Sequence, residues 1–281
     1  MYSKSLAETK TGLNSYGYGD TSHCNIDTHT YIHEMGHMFG LDDYYDYSYQ
    51  YVPAGDFSMQ DYNVGSHDPY SLMALGWVAP YIPTESCKMI LKPFQESRDL
   101  ILLTPSWNEY NSPFDEYLLI ELYTPTGLNE FDSLYKRQYS PLGPSDVGIR
   151  LWHVDARLLY SQNGFSANRI TTNPNCGYLV DHLTSNTYYS EAAKSYASPL
   201  GKDYADYNLL QLIRNGENET NYSLTSISND SLFKEGDTFS LEKFYKQFVN
   251  SDKLNNGTNL SWSFTVTSLT NDQAVIELVK S

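Results

Sequence analysis

The stretch His33-Glu34-Met35-Gly36-His37-Met38-Phe39-Gly40-Leu41-Asp42-Asp43 sets two histidines four residues apart. On a helix that spacing places both imidazoles on one face, with Cβ atoms roughly 5–6 Å apart. Two neutral imidazoles so placed suit Zn²⁺, a borderline-soft ion. Glu34 directly follows the first histidine, where its carboxylate reaches a water at the metal without being a ligand. It is placed to accept a proton and pass it on. Gly40 lets the helix turn, and Asp43 lies six residues after His37, far enough round to return as a third ligand. The pattern H-E-x-x-H-x-x-G-x-x-H/D selects Asp43 over Asp42. Three protein ligands are the number that a catalytic zinc site uses, because a fourth position stays open.

The flanking residues support a helix. Cys24 to Phe39 holds no proline and one glycine, Asp27 or Thr28 offers an N-cap, and Gly40 stands at the C-cap. A second helix is expected over Asp68–Gly76, opening on an Asp cap with Pro69 in its first turn. Between the two lies Asp56-Phe57-Ser58-Met59-Gln60-Asp61-Tyr62. Zinc peptidases with the extended motif carry a methionine turn downstream of the third ligand. Met59 is the candidate, and Met73 is the less attractive one because it falls inside the second helix.

Beyond Pro83 the chain changes character. Lys88–Leu91, Asp99–Leu103, Tyr117–Leu122, Gly148–Val154, Ser261–Val266 and Ala274–Val279 are β-branched or aromatic runs between turn residues. Residues 161–205, rich in Ser, Asn, Tyr and Gly, read as an irregular insertion. The expected fold is therefore α+β, with a metal-binding part over 1–82 and a β-rich, sandwich-like region over 83–281.

Composition narrows the function. The 281 residues carry 18 Lys+Arg against 34 Asp+Glu, a net charge of −16 that would repel a phosphate backbone, so nucleic acid is not an expected partner. No apolar run approaches the ~18 residues that a membrane helix needs. No serine-nucleophile, Walker or dinucleotide motif is present. Asp42, Asp46, Asp56 and Asp61 lie around the histidines and offer oxygen ligands for a structural Ca²⁺. His153 and Asp155, at i and i+2 on one strand, read chiefly as a hydrogen-bonded pair. Cys24, Cys87 and Cys176 fit either one disulfide with a free thiol or three free thiols.

Four stretches resemble the immune inhibitor A family of secreted bacterial metallopeptidases, in the metzincin clan. They are the run 33–46, Phe57–Asn63, His67–Trp77, and Glu116–Glu121 together with Gly148–Asp155. The resemblance implies a partial metzincin-like domain and a zinc-dependent endopeptidase acting on proteins or peptides. It also implies calcium stabilisation and a secreted or cell-surface location. By position, His33, His37 and Asp43 would be zinc ligands, Glu34 the catalytic glutamate and Met59 the Met-turn residue. Family members carry a sheet and helices ahead of the zinc helix that 32 residues do not accommodate. The N-terminus also lacks a signal-peptide apolar region. The expectation is an N-terminally incomplete chain of low activity on its own. The competing expectation is an inactive remnant serving as an extracellular protein- or carbohydrate-binding module.

Overall fold

The computed structural model describes residues 28–46, 51–136, 140–161, 167–174, 179–182, 207–221 and 223–281. The helix expected around the histidines is α1 (Thr28–Met38), and the second is α2 (Pro69–Ala74). Of the two expected caps of α1, Asp27 lies outside the described residues, and Thr28 is the first residue of the helix. The Asp68 side chain accepts from the Ser71 backbone N–H, and Gly76 ends the segment at φ 72°. Both ends follow from the chemistry of Asp at an N-cap and Gly at a left-handed position.

The strands follow in chain order: β1 (Cys87–Leu91), β2 (Ile101–Leu103), β3 (Glu116–Tyr123), β4 (Gly148–Asp155), β5 (Leu158–Ser161), β6 (Ala167–Thr171), β7 (Leu179–His182), β8 (Leu210–Ile213), β9 (Thr238–Ser240), β10 (Trp262–Leu269) and β11 (Ala274–Lys280). One-turn helices α3 (Phe94–Ser97) and α4 (Glu130–Leu134) flank β3 in sequence. The fold is α+β and mostly strand. One antiparallel sheet runs β1-β11-β10-β9 and a second runs β2-β3-β4-β8.

Side-chain alternation explains how these sheets stack. All eight residues of β3 are buried, and they divide between two cores. Leu118, Ile120 and Leu122 join Ile149, Leu151, Phe264, Val266 and Ile276 between the two sheets. Tyr117, Leu119 and Tyr123 point the other way and join Trp152, Leu210, Tyr44, Phe57, Tyr70 and Leu72. The β2-β3-β4-β8 sheet is thus a middle layer, covered on one face by the outer sheet and on the other by side chains that include Tyr44, Ala54, Phe57, Tyr70 and Leu72. The second core takes side chains from both sides of position 82, so the residues before and after the expected boundary share it.

A buried charge pair sits at this junction. The Arg150 guanidinium meets Glu121 Oε1 at 2.8 Å and lies over the rings of Phe57, Tyr123 and Trp152. Trp152 Nε1 donates to the same carboxylate at 2.8 Å. Burial pushes the Glu121 carboxyl up, and Arg150 opposes the shift. Removing one member of such a pair costs about 3–5 kcal/mol. That is a large share of a domain's stability, so Arg150 anchors the segment leading into Met59.

One expectation needs correcting. Within 161–205, expected to be irregular, the described residues form β6 and β7, which pair with β5 in a three-stranded antiparallel sheet. Both pairings contain a register shift, and Asn168 and Arg169 break the apolar alternation by which strands are recognised in sequence. Cys87 is a free thiol, and Cys24 and Cys176 lie outside the described residues. Among the described residues, no helix is long and apolar enough to cross a membrane.

Candidate metal centre

Helix α1 ends where the motif needs it to end. Gly40 takes φ 93°, its N–H bonds to the His37 carbonyl at 3.1 Å, and the Leu41 N–H bonds to the Gly36 carbonyl at 3.0 Å. That pair of bonds is a Schellman closure, which satisfies carbonyls that a helix end leaves open. The chain then reverses and brings Asp43 back over the histidine face.

Three ligand atoms converge there. Asp43 Oδ1 lies 2.9 Å from His33 Nε2 and 3.1 Å from His37 Nε2, and the two Nε2 atoms are 3.2 Å apart. Among the described residues, His33, His37 and Asp43 are the cluster of three such side chains able to hold a metal ion. Asp42, Asp46, Asp56 and Asp61 do not form a second.

The other ring nitrogens fix the tautomer. His33 Nδ1 faces the Met59 carbonyl at 3.0 Å, and His37 Nδ1 faces the Leu41 carbonyl at 2.7 Å. A carbonyl only accepts, so each Nδ1 carries the proton and each neutral ring presents its Nε2 lone pair to the centre. Two lone pairs and a carboxylate oxygen then crowd together, which only a proton or a cation relieves. In the metal-free chain that pressure raises His37 from 6.5 to about 9, chiefly through its hydrogen bond to Asp43. Tetrahedral zinc with bonds of about 2.0–2.1 Å separates its donors by roughly 3.3 Å. The three observed separations suit that ion.

The turn after Asp56 supports the cluster from below. Met59 is buried, and its backbone carbonyl is the acceptor that orients His33. Gln60 Nε2 donates to the His33 carbonyl at 3.2 Å, and the Tyr44 N–H donates to the Gln60 carbonyl at 2.9 Å. A Cβ at Gly36 would overlap the Gln60 amide group, so any larger residue there would have to displace the side chain that bonds to the His33 carbonyl. Glu34 is half-buried beside His33, and its charge adds to the pull on the His37 proton.

Other candidates fall elsewhere. His153 Nε2 bonds to Glu116 Oε1 at 2.9 Å, and Arg157 grips Asp155 with two bonds of 2.7 and 2.8 Å. Asn255 Nδ2 also donates to Asp155, and the Asn255 and Asn256 N–H groups donate to Glu116. This buried network pins the 255–256 loop to the end of β3 and β4. Asp56 takes a hydrogen bond from Ser226 at 2.6 Å, and Asp61 is fully buried, its carboxyl raised well above the usual range by desolvation. His29 lies near His33, with ring centroids 5.3 Å apart and the rings tilted by 45°, and its Nδ1 bonds to the Asn63 carbonyl. The Met59 and Leu41 carbonyls left no trace in the sequence, because any residue supplies one.

The geometry separates the two neighbouring aspartates. Asp43→Ala is expected to weaken zinc binding far more than Asp42→Ala, since only the former side chain reaches both imidazoles. Chelator-competition titrations of the two variants measure this, and equal losses would contradict the assignment.

No family model matches the chain, and no curated protein matches it.

Proposed function

We propose that this chain is a zinc-dependent endopeptidase of the metzincin type, exported from the cell and hydrolysing peptide bonds of proteins. The observation that carries the reading is the convergence of His33 Nε2, His37 Nε2 and Asp43 Oδ1 within 3.2 Å, with each Nδ1 already committed to a carbonyl. Four stretches of likeness to immune inhibitor A peptidases supply the choice of reaction.

When bound, zinc supplies a Lewis acid that polarises a carbonyl and makes water more acidic. The chain's own residues do the rest. His33 and His37 hold the ion as neutral ligands, and Asp43 brings one negative charge. Glu34, half-buried beside His33, would take a proton from water at its carboxylate as the hydroxyl adds to the peptide carbonyl carbon, and would pass that proton to the amine as the C–N bond breaks. The carbonyls of Met59 and Leu41 keep both imidazoles turned toward the metal throughout.

The test is metal analysis of the purified chain, followed by prolonged incubation with casein and detection of cleavage by mass spectrometry. One equivalent of zinc and cleavage that a chelator stops and zinc restores are expected, even if turnover is slow. Absence of zinc after zinc-replete refolding would overturn the reading. Zinc uptake with no cleavage would favour a binding module instead.

A further inference from the structure

We propose that Asp68 is a positioning residue for the metal centre, holding both of its ligand-bearing segments through one carboxylate oxygen; this rests on the metal reading above. The sequence marks Asp68 as the cap of α2. Capping uses only Oδ1, which accepts from the Ser71 N–H at 2.9 Å. Oδ2 has different partners. It accepts from Ser58 Oγ at 2.7 Å and from Ser71 Oγ at 2.7 Å. The carboxylate is buried, so these bonds stand in place of water.

Each hydroxyl leads to a metal ligand. Ser58 opens the turn that carries Met59: its Oγ receives the Gln60 N–H at 3.2 Å, and its carbonyl receives the Asp61 N–H at 2.9 Å. The Met59 carbonyl inside that turn orients His33. On the other branch, Ser71 has one hydroxyl proton and gives it to Asp68. The 3.1 Å contact between Ser71 Oγ and the Tyr44 hydroxyl is therefore donated by Tyr44. Tyr44 is the residue after Asp43. Asp68 touches no ligand, yet it ties the segment orienting His33 to the segment delivering Asp43.

An anionic carboxylate meets this demand where an amide does not. All three groups around Asp68 are donors. Asp68→Asn removes the charge and places an NH₂ group either against the Ser71 N–H, which breaks that link, or against the two hydroxyls, which must then turn round and accept instead of donating.

The experiment compares the full chain with Asp68→Asn, Tyr44→Phe and, as a control, Glu116→Gln. The last disturbs the buried His153 network, whose hydrogen bonds run to the 255–256 loop. Zinc affinity is read by competition with a chromophoric chelator, ligand geometry by the d–d spectrum of the Co²⁺-loaded proteins, and folding by circular dichroism. Asp68→Asn is expected to weaken zinc binding about tenfold, within the range for outer partners of metal ligands, and to change the cobalt spectrum. Tyr44→Phe should do the same to a smaller extent. Glu116→Gln should lower the melting temperature but leave affinity and spectrum unchanged. A folded Asp68→Asn with wild-type affinity and spectrum overturns the inference. If Asp68→Asn does not fold, Tyr44→Phe decides, and an unchanged spectrum and affinity there overturn it. A spectrum altered equally by Glu116→Gln would reduce Asp68 to a stability residue and also overturn it. A wild-type chain that takes up no cobalt or zinc overturns the metal reading, and this inference falls with it.

Discussion

Glu34→Ala should keep its zinc and lose peptide cleavage by about 10²–10⁴-fold, the usual contribution of a general base. The separation of the two effects follows from the geometry. None of the three converging atoms belongs to Glu34, and the carbonyls that fix the imidazole tautomers come from Met59 and Leu41. Among the influences that raise His37, the Glu34 charge is the smallest. Its removal makes the histidine slightly easier to deprotonate but also takes one negative charge from the surroundings of a dication, so zinc affinity should stay close to that of the wild type. Glu34→Gln keeps the shape and removes the proton acceptor, so it should be as inactive as the alanine variant. Product formation from a defined peptide, normalised to zinc content, measures both. Undiminished turnover would assign the proton work elsewhere, and loss of zinc would make Glu34 a ligand.

What could be read from the sequence depended on how each element is buried. β10 faces a core on one side only, so Trp262, Phe264 and Val266 alternate with more exposed residues and the strand is plain in the sequence. β3 is buried on both faces, and its run Tyr117–Leu122 is recognisable as a strand, but nothing in it tells which side chain serves which core. β9, with three residues, and α3 and α4, each a single turn, are too short to show a period. β8 has only four residues, all buried, and a short apolar run does not distinguish strand from helix. β6 and β7 were obscured by polar residues and shifted register.

The candidate site was legible to the extent that side chains build it. His33, His37 and Asp43 came from spacing alone, because a helical period and one glycine turn determine where they meet. The sequence points to the Met59 side chain, while the contact that touches the cluster is its backbone carbonyl. Asp68 was legible as a cap, and its second oxygen was not, since Ser58 and Tyr44 lie 10 and 24 residues away in sequence. Such outer contacts depend on tertiary packing and have no fixed spacing.

His37→Ala should abolish zinc uptake, and the intact chain should bind zinc more tightly as pH rises. Both expectations come from one atom. His37 Nε2 sits 3.1 Å from Asp43 Oδ1, and in the metal-free chain that contact holds a proton up to about 9. Zinc must displace the proton to bind. Between pH 6.5 and 9 each unit of pH should therefore raise zinc affinity by about tenfold for this one group, with the gain levelling off above 9. Stability of the metal-free chain should run the other way. A histidine whose folded pKa is raised stabilises the fold fully below its unfolded value of 6.5, and the contribution is lost as pH rises through about 9. Melting temperature of the metal-free chain should then fall across that window relative to His37→Ala, while that of the zinc-loaded chain should not. Titration calorimetry in buffers of different ionisation enthalpy counts the protons released on zinc binding, and thermal melts follow the rest. If the metal-free wild type and His37→Ala share one pH slope, the Asp43–His37 contact is not what holds the proton. If zinc still binds His37→Ala with wild-type affinity, the ion sits elsewhere.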